Sequence, residues 1–412
     1  MSPHKSGHPT AADLCSGCGG FSLGAQNVGF NVRTALEINP AAYYTYKTHI
    51  ADHDDMALVA RNITTLDPKH ASENIDAVFA GPPCQPFSDA QGDPFDGDPE
   101  DTVAFTVAEW VETLQPAVFA IENVGGLKRN HKNVMSLLLG TLRDAGYTVS
   151  PITLNAADYG VPQIRERLFI LGVREDFEPP TQWEPEHTRT PHQGQTTLGS
   201  SNTPIDGYYT AGGAIDDLPQ PLRSQKPGDD PVHATPHQDE NRVLPDTCPT
   251  WLDVDENGEY SYGGVTGDVC MPPNHVAADH DYSTKEKYAE WELGFCGGRT
   301  TSRRLHPDEP SPTITVSNGT PPVHYVGKAP GNDEPVEEVR RLTVRETARI
   351  QTFPDSWCFA GTRLEQYRQV GNAVPPLLAA HVSDHLLSTV SDKLGYGHLY
   401  ADNSVNAPVP TP

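Results

Sequence analysis

One cysteine of the sequence lies in a setting that suits chemistry better than packing. Cys84 belongs to GPPCQPFS, residues 81–88, where three prolines exclude both a helix and a continuing strand. The preceding NIDAVFAG predicts a strand, so the thiol should lie at the carboxyl edge of a sheet, where α/β folds bind ligands. A buried free cysteine is commonly a small apolar filler, but the polar neighbours Gln85 and Ser88 fit that interpretation poorly. Cys84 is therefore a candidate reactive thiol.

A carboxyl group and two guanidinium groups follow on later strands. FAIENVGGL ends a predicted strand with Glu122 and Asn123. A carboxyl group after an apolar strand should be partly desolvated, which raises its pKa and suits proton donation, although a helix cap or a surface acid is the alternative. In PQIRERLFI, the period of two predicts that Gln163, Arg165 and Arg167 share one face of a strand. Two arginines on that face indicate an anionic or carbonyl partner.

A glycine-rich turn near the start of the chain is a candidate nucleotide site. AADLCSGCGGFSLG, residues 11–24, predicts a strand, a tight turn and a helix, and such turns let backbone N–H groups approach a ligand. Glycines needed only for packing are the alternative. Glu37, in ALEINP, should end the second strand, where a carboxylate can accept hydrogen bonds from a ribose. Cys15 and Cys18 form a CxxC, but without a second CxxC we expect no metal site.

The elements that position these residues alternate between strand and helix patterns. From Ala11 to Val173 this alternation predicts a doubly wound α/β fold around a largely parallel sheet. Helical patterns return in LTVRETARIQTFP, with Thr343 and Glu346 as a capping pair, and in AVPPLLAAHVSDHLLSTV. The loop-rich stretch between them predicts a second domain. We expect a catalytic domain from residues 11–179 and 338–392, a second domain from 180–337, and flexible tails at 1–10 and 393–412.

The composition bounds the class of protein. A formal net charge of −26 disfavours nucleic acid as a partner at first sight, but it is also typical of the acidic surfaces of proteins from halophiles. The basic residues are mostly bunched arginines, so local basic strips could still bind phosphates. The sequence has no long apolar stretch and no secretory pattern at its start, which predicts a soluble, cytoplasmic protein without membrane contact. Seven scattered cysteines indicate reduced thiols.

Six motifs in order resemble the C5-type cytosine DNA methyltransferases, which use S-adenosylmethionine. They are DLCSGCGGFSLG, GPPCQPFS, ENV, QIRER, RRLTVRETARIQTFPD and QVGNAVPP, and they cover about residues 11–173 and 338–390. The resemblance implies a Rossmann-like methyltransferase sheet with a loop-rich target-recognition domain. It also implies methyl transfer to C5 of a cytosine flipped out of a specific duplex DNA sequence, through a covalent bond between Cys84 and C6.

The resemblance assigns roles to individual residues. Glu122 would hold or protonate cytosine N3, and Arg167, with Arg165 near it, would face O2; these three and Cys84 are the catalytic set. Asn62 stands where the family usually has an aspartate toward the adenine, which puts that contact in doubt. The cofactor set implied is Asp13, Gly17, Gly19, Phe21, Glu37, Asn62, Ile63, Pro83, Asn372 and Val374. The DNA-contacting set is Gln85, Ser88, Arg303 and Arg304, with no metal.

Three other functions compete with this interpretation. A tRNA cytosine methyltransferase of the same family would share every catalytic motif, although the long recognition block favours DNA. A non-enzymatic DNA-binding relative should lack Cys84 or Glu122, and both are present. A thiol-redox or plain dinucleotide-binding enzyme would not explain ENV and QIRER together. We expect double-stranded DNA as the partner, a monomer on that DNA, and a cognate restriction endonuclease as a further candidate partner.

Overall fold

A seven-stranded sheet forms the centre of the molecule. The computed structural model describes residues 7–51, 56–71, 74–83, 99–125, 127, 132–189, 207–223, 252–254, 260–262, 274–278, 280–294, 303–314, 321–331 and 333–397. The sheet strands are β1 (Thr10–Leu14), β2 (Asn31–Leu36), β3 (Ala57–Val59), β4 (Ala77–Ala80), β5 (Val118–Asn123), β6 (Tyr147–Asn155) and β8 (Glu166–Arg174). Their order is β3-β2-β1-β4-β5-β8-β6. Strands β1 to β5 run parallel, whereas β8 is antiparallel to both of its neighbours.

The remaining elements cover the sheet or follow it along the chain. The helices are α1 (Gly20–Asn27), α2 (Pro40–His49), α3 (Pro99–Leu114), α4 (Lys132–Asp144), α5 (Ala211–Ile215), α6 (Tyr282–Ala289), α7 (Val344–Ile350), α8 (Arg363–Asn372) and α9 (Pro376–Leu394). The short strands are β7 (Gln163–Ile164), β9 (Leu222–Arg223), β10 (Leu252–Val254), β11 (Tyr260–Tyr262), β12 (Val276–Ala277) and β13 (Ser311–Pro312). Among the described residues no helix is long and apolar enough to cross a membrane.

Helices cover both faces of the sheet, which explains why its central strands are apolar throughout. On one face, Val78 of β4 packs in a cluster with residues of α3 and α4, such as Trp110 and Leu138. On the other face, Phe79 packs with residues of α1 and α9, such as Leu378. Because successive side chains of a strand point to opposite faces, a strand buried on both sides must be apolar at every position. The predicted α/β fold is confirmed.

The segment after the loop-rich block is fixed by two capping boxes. Thr343 caps α7 and Glu346 returns the hydrogen bond, as the sequence predicts, and Thr362 and Glu365 do the same for α8. Glu346 also accepts two hydrogen bonds from Arg340, at 2.8 and 2.7 Å. Burial alone would raise the pKa of Glu346, but hydrogen bonds from His324 and Arg340 outweigh it and hold the pKa well below the ordinary value. Glu346 is therefore a buried, ionised anchor for the start of α7.

The described ends of the loop-rich block pack against the catalytic part of the chain. Strand β13 pairs with β7, and Leu305 and Ile314 share an apolar cluster with Tyr46 of α2 and Leu342. The chain also stays packed beyond residue 392, since Tyr396 is buried and its hydroxyl donates to Asp76. Contacts therefore continue across residues 337 and 392, and the domain boundaries drawn there from composition stay predictions.

A substitution at Gly172 should test how closely the sheet is packed. Gly172 of β8 lies opposite Phe119 of β5, and a Cβ atom there would be 2.1 Å from the buried Phe119 ring. We expect Gly172→Ala to lower the free energy of unfolding by about 1–3 kcal/mol, measured by urea denaturation. Gly140→Ala is the control, because a Cβ there meets no atom within 4 Å and alanine favours a helix by about 0.5–1 kcal/mol. Wild-type stability of Gly172→Ala would contradict this packing.

Candidate active site

The candidate site lies at the edge of the sheet where the parallel strands end. Strand β1 leads into the glycine turn, β4 leads into Gly81–Pro83, and the backbone N–H of Gly81 donates to the carbonyl of Leu14 at 3.2 Å. The chain is described as far as Pro83, which is exposed. Cys84, Gln85 and Ser88 lie outside the described residues, so their positions stay predictions.

Glu122 and Arg167 form an ion pair at this edge. Glu122 is the fifth residue of β5, and Arg167 is the second residue of β8. Because β8 is antiparallel to β5, the start of β8 meets the end of β5, and Nε of Arg167 lies 3.1 Å from Oε1 of Glu122. Burial raises the pKa of Glu122, and the charges of Arg167 and Arg165 oppose that rise without cancelling it. This buried carboxyl group can hold a proton more readily than a free glutamate.

Arg165 has surroundings that the period of two did not predict. Its side chain is 1% exposed, and its guanidinium donates to the carbonyls of Ile314, Gly371 and Ala373 at 3.4, 2.9 and 3.1 Å. The strand pattern is interrupted here, since β7 ends at residue 164 and β8 begins at residue 166. We therefore revise the expectation that Arg165 faces the base as Arg167 does: its contacts are backbone carbonyls of distant segments.

The glycine turn is closed by Glu37. Gly17 and Gly19 have φ angles of +56° and +92°, a conformation that glycine adopts without strain. The Glu37 carboxyl accepts from the N–H groups of Gly17 and Asn39, at 2.7 and 2.6 Å. Burial raises its pKa, although these hydrogen bonds oppose the rise. A Cβ at Gly17 would meet nothing within 4 Å, so open space lies beside the turn.

Asp13 lies below the turn in a buried polar chain. Its Oδ2 accepts from Ser22 at 2.5 Å, and the Ser22 hydroxyl lies 2.6 Å from the Tyr46 hydroxyl. The other carboxyl oxygen, Oδ1, is buried and has no hydrogen-bond partner among the described residues. Burial raises the pKa of Asp13 to about 7, and the bond from Ser22 only reduces that rise. These hydrogen bonds connect β1 to α1 and α2 under the turn.

Three of the expected cofactor residues have local roles, and one exposed residue was not predicted. Phe21 is buried and stacks on Phe79 with ring centroids 4.8 Å apart, so it packs in the core, and its contact with the cofactor stays a prediction. Asn62 caps its own 3₁₀ helix by accepting from Thr64, and Ile63 is buried beside it.

The sequence did not point to Ile38, which follows Glu37 directly and is 63% exposed. An apolar side chain so placed offers a surface to a flat ring, and its exposure could not be read from the sequence.

The last two expected cofactor residues lie at the end of α8 and just after it. Asn372 is exposed, and Val374 is buried with its carbonyl facing α1. A Cβ at Gly20 would lie only 2.3 Å from the carbonyl oxygen of Val374. The glycine turn and the segment after α8 therefore form one continuous wall.

The two arginines expected to contact DNA make internal hydrogen bonds. Arg304 is fully buried, so we correct its predicted role as a DNA contact. Its guanidinium donates to the carbonyls of Tyr288, Trp291, Tyr325, Val326, Gly327 and Lys328. Arg303 is partly buried and donates to the carbonyl of Thr313 at 2.7 Å. Clustering in the sequence shows where arginines are but not whether carbonyls surround them.

The CxxC near the turn has the properties of packed thiols. Burial raises the pKa of Cys15 to about 12 and that of Cys18 further, with Glu37 and Asp13 adding to both rises. A protonated thiol is a poor metal ligand and a poor nucleophile. In the part of the chain that is described, no group of three His, Cys, Asp or Glu could hold a metal ion.

The largely parallel sheet has a glycine turn and a buried carboxyl group at its carboxyl edge, which is where α/β enzymes bind their ligands. The family model described as C-5 cytosine-specific DNA methylase matches residues 10–388. The chain therefore belongs to this family and is a DNA (cytosine-5) methyltransferase.

Relatives and solved structures agree with this family. The Type II methyltransferase M.DdeI of Desulfomicrobium norvegicum is 30% identical over 404 residues, which cover 91% of this chain and 87% of that protein. M.AgeI of Thalassovita gelatinovora is 30% identical over 442 residues, covering 92% and 99%. A DNA modification methyltransferase encoded within an Escherichia coli prophage has the same fold, with a TM-score of 0.63, 23% identity and coverage of 93% and 99%. The DNMT2 of Spodoptera frugiperda also shares the fold, with a TM-score of 0.52, 16% identity and coverage of 92% and 99%.

The raised pKa of Asp13 predicts a stability that depends on pH. The pKa rises from 3.8 to about 7 on folding, so the folded state keeps a proton that the unfolded state has lost. The free energy of unfolding should therefore fall as pH rises from about 4 to 7. In Asp13→Asn this contribution is absent, and the variant should gain stability relative to wild type between pH 4 and pH 8, measured by urea denaturation. Ser22→Ala keeps the carboxyl group and should keep the wild-type slope; an unchanged slope in Asp13→Asn would refute the assignment.

Proposed function

We propose that this enzyme methylates C5 of a flipped-out cytosine in a specific duplex DNA sequence, using S-adenosylmethionine and a covalent bond from Cys84. The observation that carries the proposal is the ion pair between buried Glu122 and half-buried Arg167, whose Oε1 and Nε atoms lie 3.1 Å apart. The pair lies at the sheet edge from which Gly81–Pro83 leads to Cys84. The pair offers a proton donor and a fixed cation where a neutral, polar ring would enter.

The chemistry assigns one task to each side chain. The Cys84 thiolate adds to C6, while N3 takes a proton from Glu122, so the ring becomes an enamine whose C5 is nucleophilic. A raised pKa suits Glu122 to hold that proton. Nε of Arg167 orients the Glu122 carboxyl and stabilises it when the proton has left. After C5 is methylated, a base removes the C5 proton, the thiolate leaves C6 as the C5–C6 double bond reforms, and N3 returns its proton to Glu122.

The residues at the glycine turn fit S-adenosylmethionine. The turn has open space beside Gly17, a carboxyl group at Glu37, and the buried, unpartnered Oδ1 of Asp13 below it. Exposed Ile38 and Asn372 offer an apolar and a polar contact on the two sides. We assign the ribose to Glu37 and the adenine to Ile38, with Gly19, Pro83 and Val374 along the wall. When bound, the cofactor supplies an electrophilic methyl group on a sulfonium.

DNA is the substrate that the family description supports. Cytosine C6 is not accessible inside a duplex, so the base must leave the stack at a cost of a few kcal/mol, offset by contacts in the pocket. We assign target recognition to the loop-rich block between residues 180 and 337, whose described end around β13 pairs with the catalytic part. The tRNA alternative is not favoured, because the matching family model is described as a DNA methylase.

The relatives also suggest a biological setting. M.DdeI and M.AgeI are named Type II methyltransferases, so we propose a cognate restriction endonuclease as the functional counterpart and a monomer as the form that acts on DNA. Location in the cytoplasm follows from this proposal, since host DNA is there.

Trapping on a modified base tests the covalent step. In DNA that carries 5-fluorocytosine at the target, C5 holds fluorine in place of the proton that a base must remove, so the covalent adduct cannot break down. Wild-type enzyme with S-adenosylmethionine should therefore form a stable complex, seen by denaturing gel electrophoresis. Cys84→Ser should form none and lose at least 100-fold in methyl transfer. Cys358→Ser is the matched control, since this partly exposed thiol lies far along the chain and has no assigned role.

Bisulfite sequencing of DNA from a host that expresses the enzyme gives the target sequence, which defines the duplex used for trapping.

Glu122→Gln removes the transferable proton and should slow adduct formation at least tenfold without weakening cofactor binding. Trapping by Cys84→Ser, or methyl transfer near the wild-type rate in that variant, would exclude the proposed nucleophile.

The acidic composition supports a second proposal, that the enzyme works in high salt. The net charge is −26, so the excess acidic side chains repel one another in dilute buffer. Molar salt, where the Debye length is about 3 Å, screens this repulsion. We expect the thermal midpoint in 2 M KCl to exceed that in 0.1 M KCl. Unfolding or a lower midpoint in 2 M KCl would exclude a halophilic origin.

A further inference from the structure

The end of α8 is held by side chains from three distant segments. The last carbonyls of a helix lack partners within it and must find other donors. The Cys18 thiol lies 3.5 Å from the carbonyl oxygen of Gln369, and the Gln351 amide donates to that of Val370 at 2.8 Å. Arg165 donates to two further carbonyls in this run, those of Gly371 and Ala373. Asn372 lies between the two carbonyls bound by one guanidinium, so its backbone position depends on Arg165.

The same short segment also binds the exit of the loop-rich block. The backbone N–H of Ile314 donates to Oε1 of Gln163 at 3.1 Å, and its carbonyl accepts from Nη1 of Arg165 at 3.4 Å. Strand β13, just before it, pairs with β7. Nε2 of Gln163 donates to Gln351 at 3.2 Å, and Gln351 is the residue that holds Val370. Gln163, Arg165 and Gln351 thus form one buried network between Ile314 and the end of α8.

We propose that Gln163 and Arg165 are positioning residues. They hold the exit of the target-recognition block at a fixed position relative to the wall beside the glycine turn. The proposal rests on the function proposed above, which assigns the cofactor to the wall at Asn372 and Val374. One planar guanidinium binds Ile314 on one side and Gly371 and Ala373 on the other, so displacement of one side displaces the other. Arg167, two residues further on, is placed on Glu122 by the same segment.

The physical basis is the fixed fork of the guanidinium. Arginine presents its N–H donors in a rigid plane, whereas a lysine ammonium is a compact point charge that cannot reach both sides with the same geometry. All three side chains of the network are buried, so water does not replace a lost bond. Arg165 also lowers the pKa of Glu122 through its charge, a contribution that lysine keeps. Arg165→Lys therefore removes the geometry and preserves the charge.

Cofactor binding without DNA tests the proposal on the full chain. We expect Arg165→Lys to weaken the binding of S-adenosylhomocysteine about tenfold, measured by titration calorimetry. Arg345→Lys is the matched control, because Arg345 is equally buried and also donates to backbone carbonyls, those of Pro354 and Trp357, which lie outside the network. It should change the affinity less than twofold. Thermal unfolding of both variants verifies that they fold.

Steady-state kinetics distinguish a positioning residue from one that touches the base. Arg165→Lys should raise KM for both cofactor and DNA, while the turnover rate at saturation stays within about threefold of wild type. If turnover instead fell about 100-fold and the affinity for S-adenosylhomocysteine stayed unchanged, the proposal would be overturned. Arg165 would then act on the cytosine base, as expected from the sequence. Absence of S-adenosylhomocysteine binding by the wild-type enzyme would instead contradict the proposed function.

A second variant keeps the test decisive if Arg165→Lys does not fold. Gln163→Met has a similar volume, keeps Arg165 and removes the bonds to Ile314 and Gln351. It should raise KM for DNA at least fivefold and weaken S-adenosylhomocysteine binding in the same direction. Wild-type values for both quantities would show that the network does not connect the two sides.

Discussion

The reversal of one strand is the constraint on which the site depends. A buried carboxyl group needs a partner, and the partner must come from an element that reaches the same edge of the sheet. Strand β5 brings Glu122 there at its end, and only a neighbour that runs antiparallel can bring its first residues to the same place. Strand β8 does so with Arg167. The antiparallel strand in an otherwise parallel sheet is thus what allows a charged group to be buried beside the glycine turn.

Much of this arrangement could be predicted because it follows local rules. Alternating apolar strands and amphipathic helices give the sheet, and a carboxyl group after FAI at Glu122 is expected to be buried. The capping pair at Thr343 also follows from residue types three positions apart. Each of these features depends on neighbours in the sequence, which is the information that a single sequence carries.

The contacts that sequence reasoning missed depend on residues far apart in the chain. Arg165 finds its carbonyls 149 to 208 residues away, and nothing in QIRER distinguishes it from Arg167. Arg304 resembles its neighbour in the sequence, but carbonyls from the end of α6 and from residues 325–328 surround it. Phe21 stacks on Phe79 because α1 turns that face to the sheet. Among the described residues of this acidic chain, the three fully buried arginines are Arg165, Arg304 and Arg345. All three donate to backbone carbonyls, so these cations hold separate segments of the chain together.

The close approach of α9 to α1 has a consequence for biosynthesis. A Cβ at Gly24 would lie 2.5 Å from Ala379, and the wall beside the glycine turn is completed by Val374. These partners are separated by about 350 residues, so a chain still emerging from the ribosome has the turn but not its wall. Contacts of such long range form late in folding. The wall beside the glycine turn is therefore complete only after residues 374–379 have been synthesised, and shorter chains lack it.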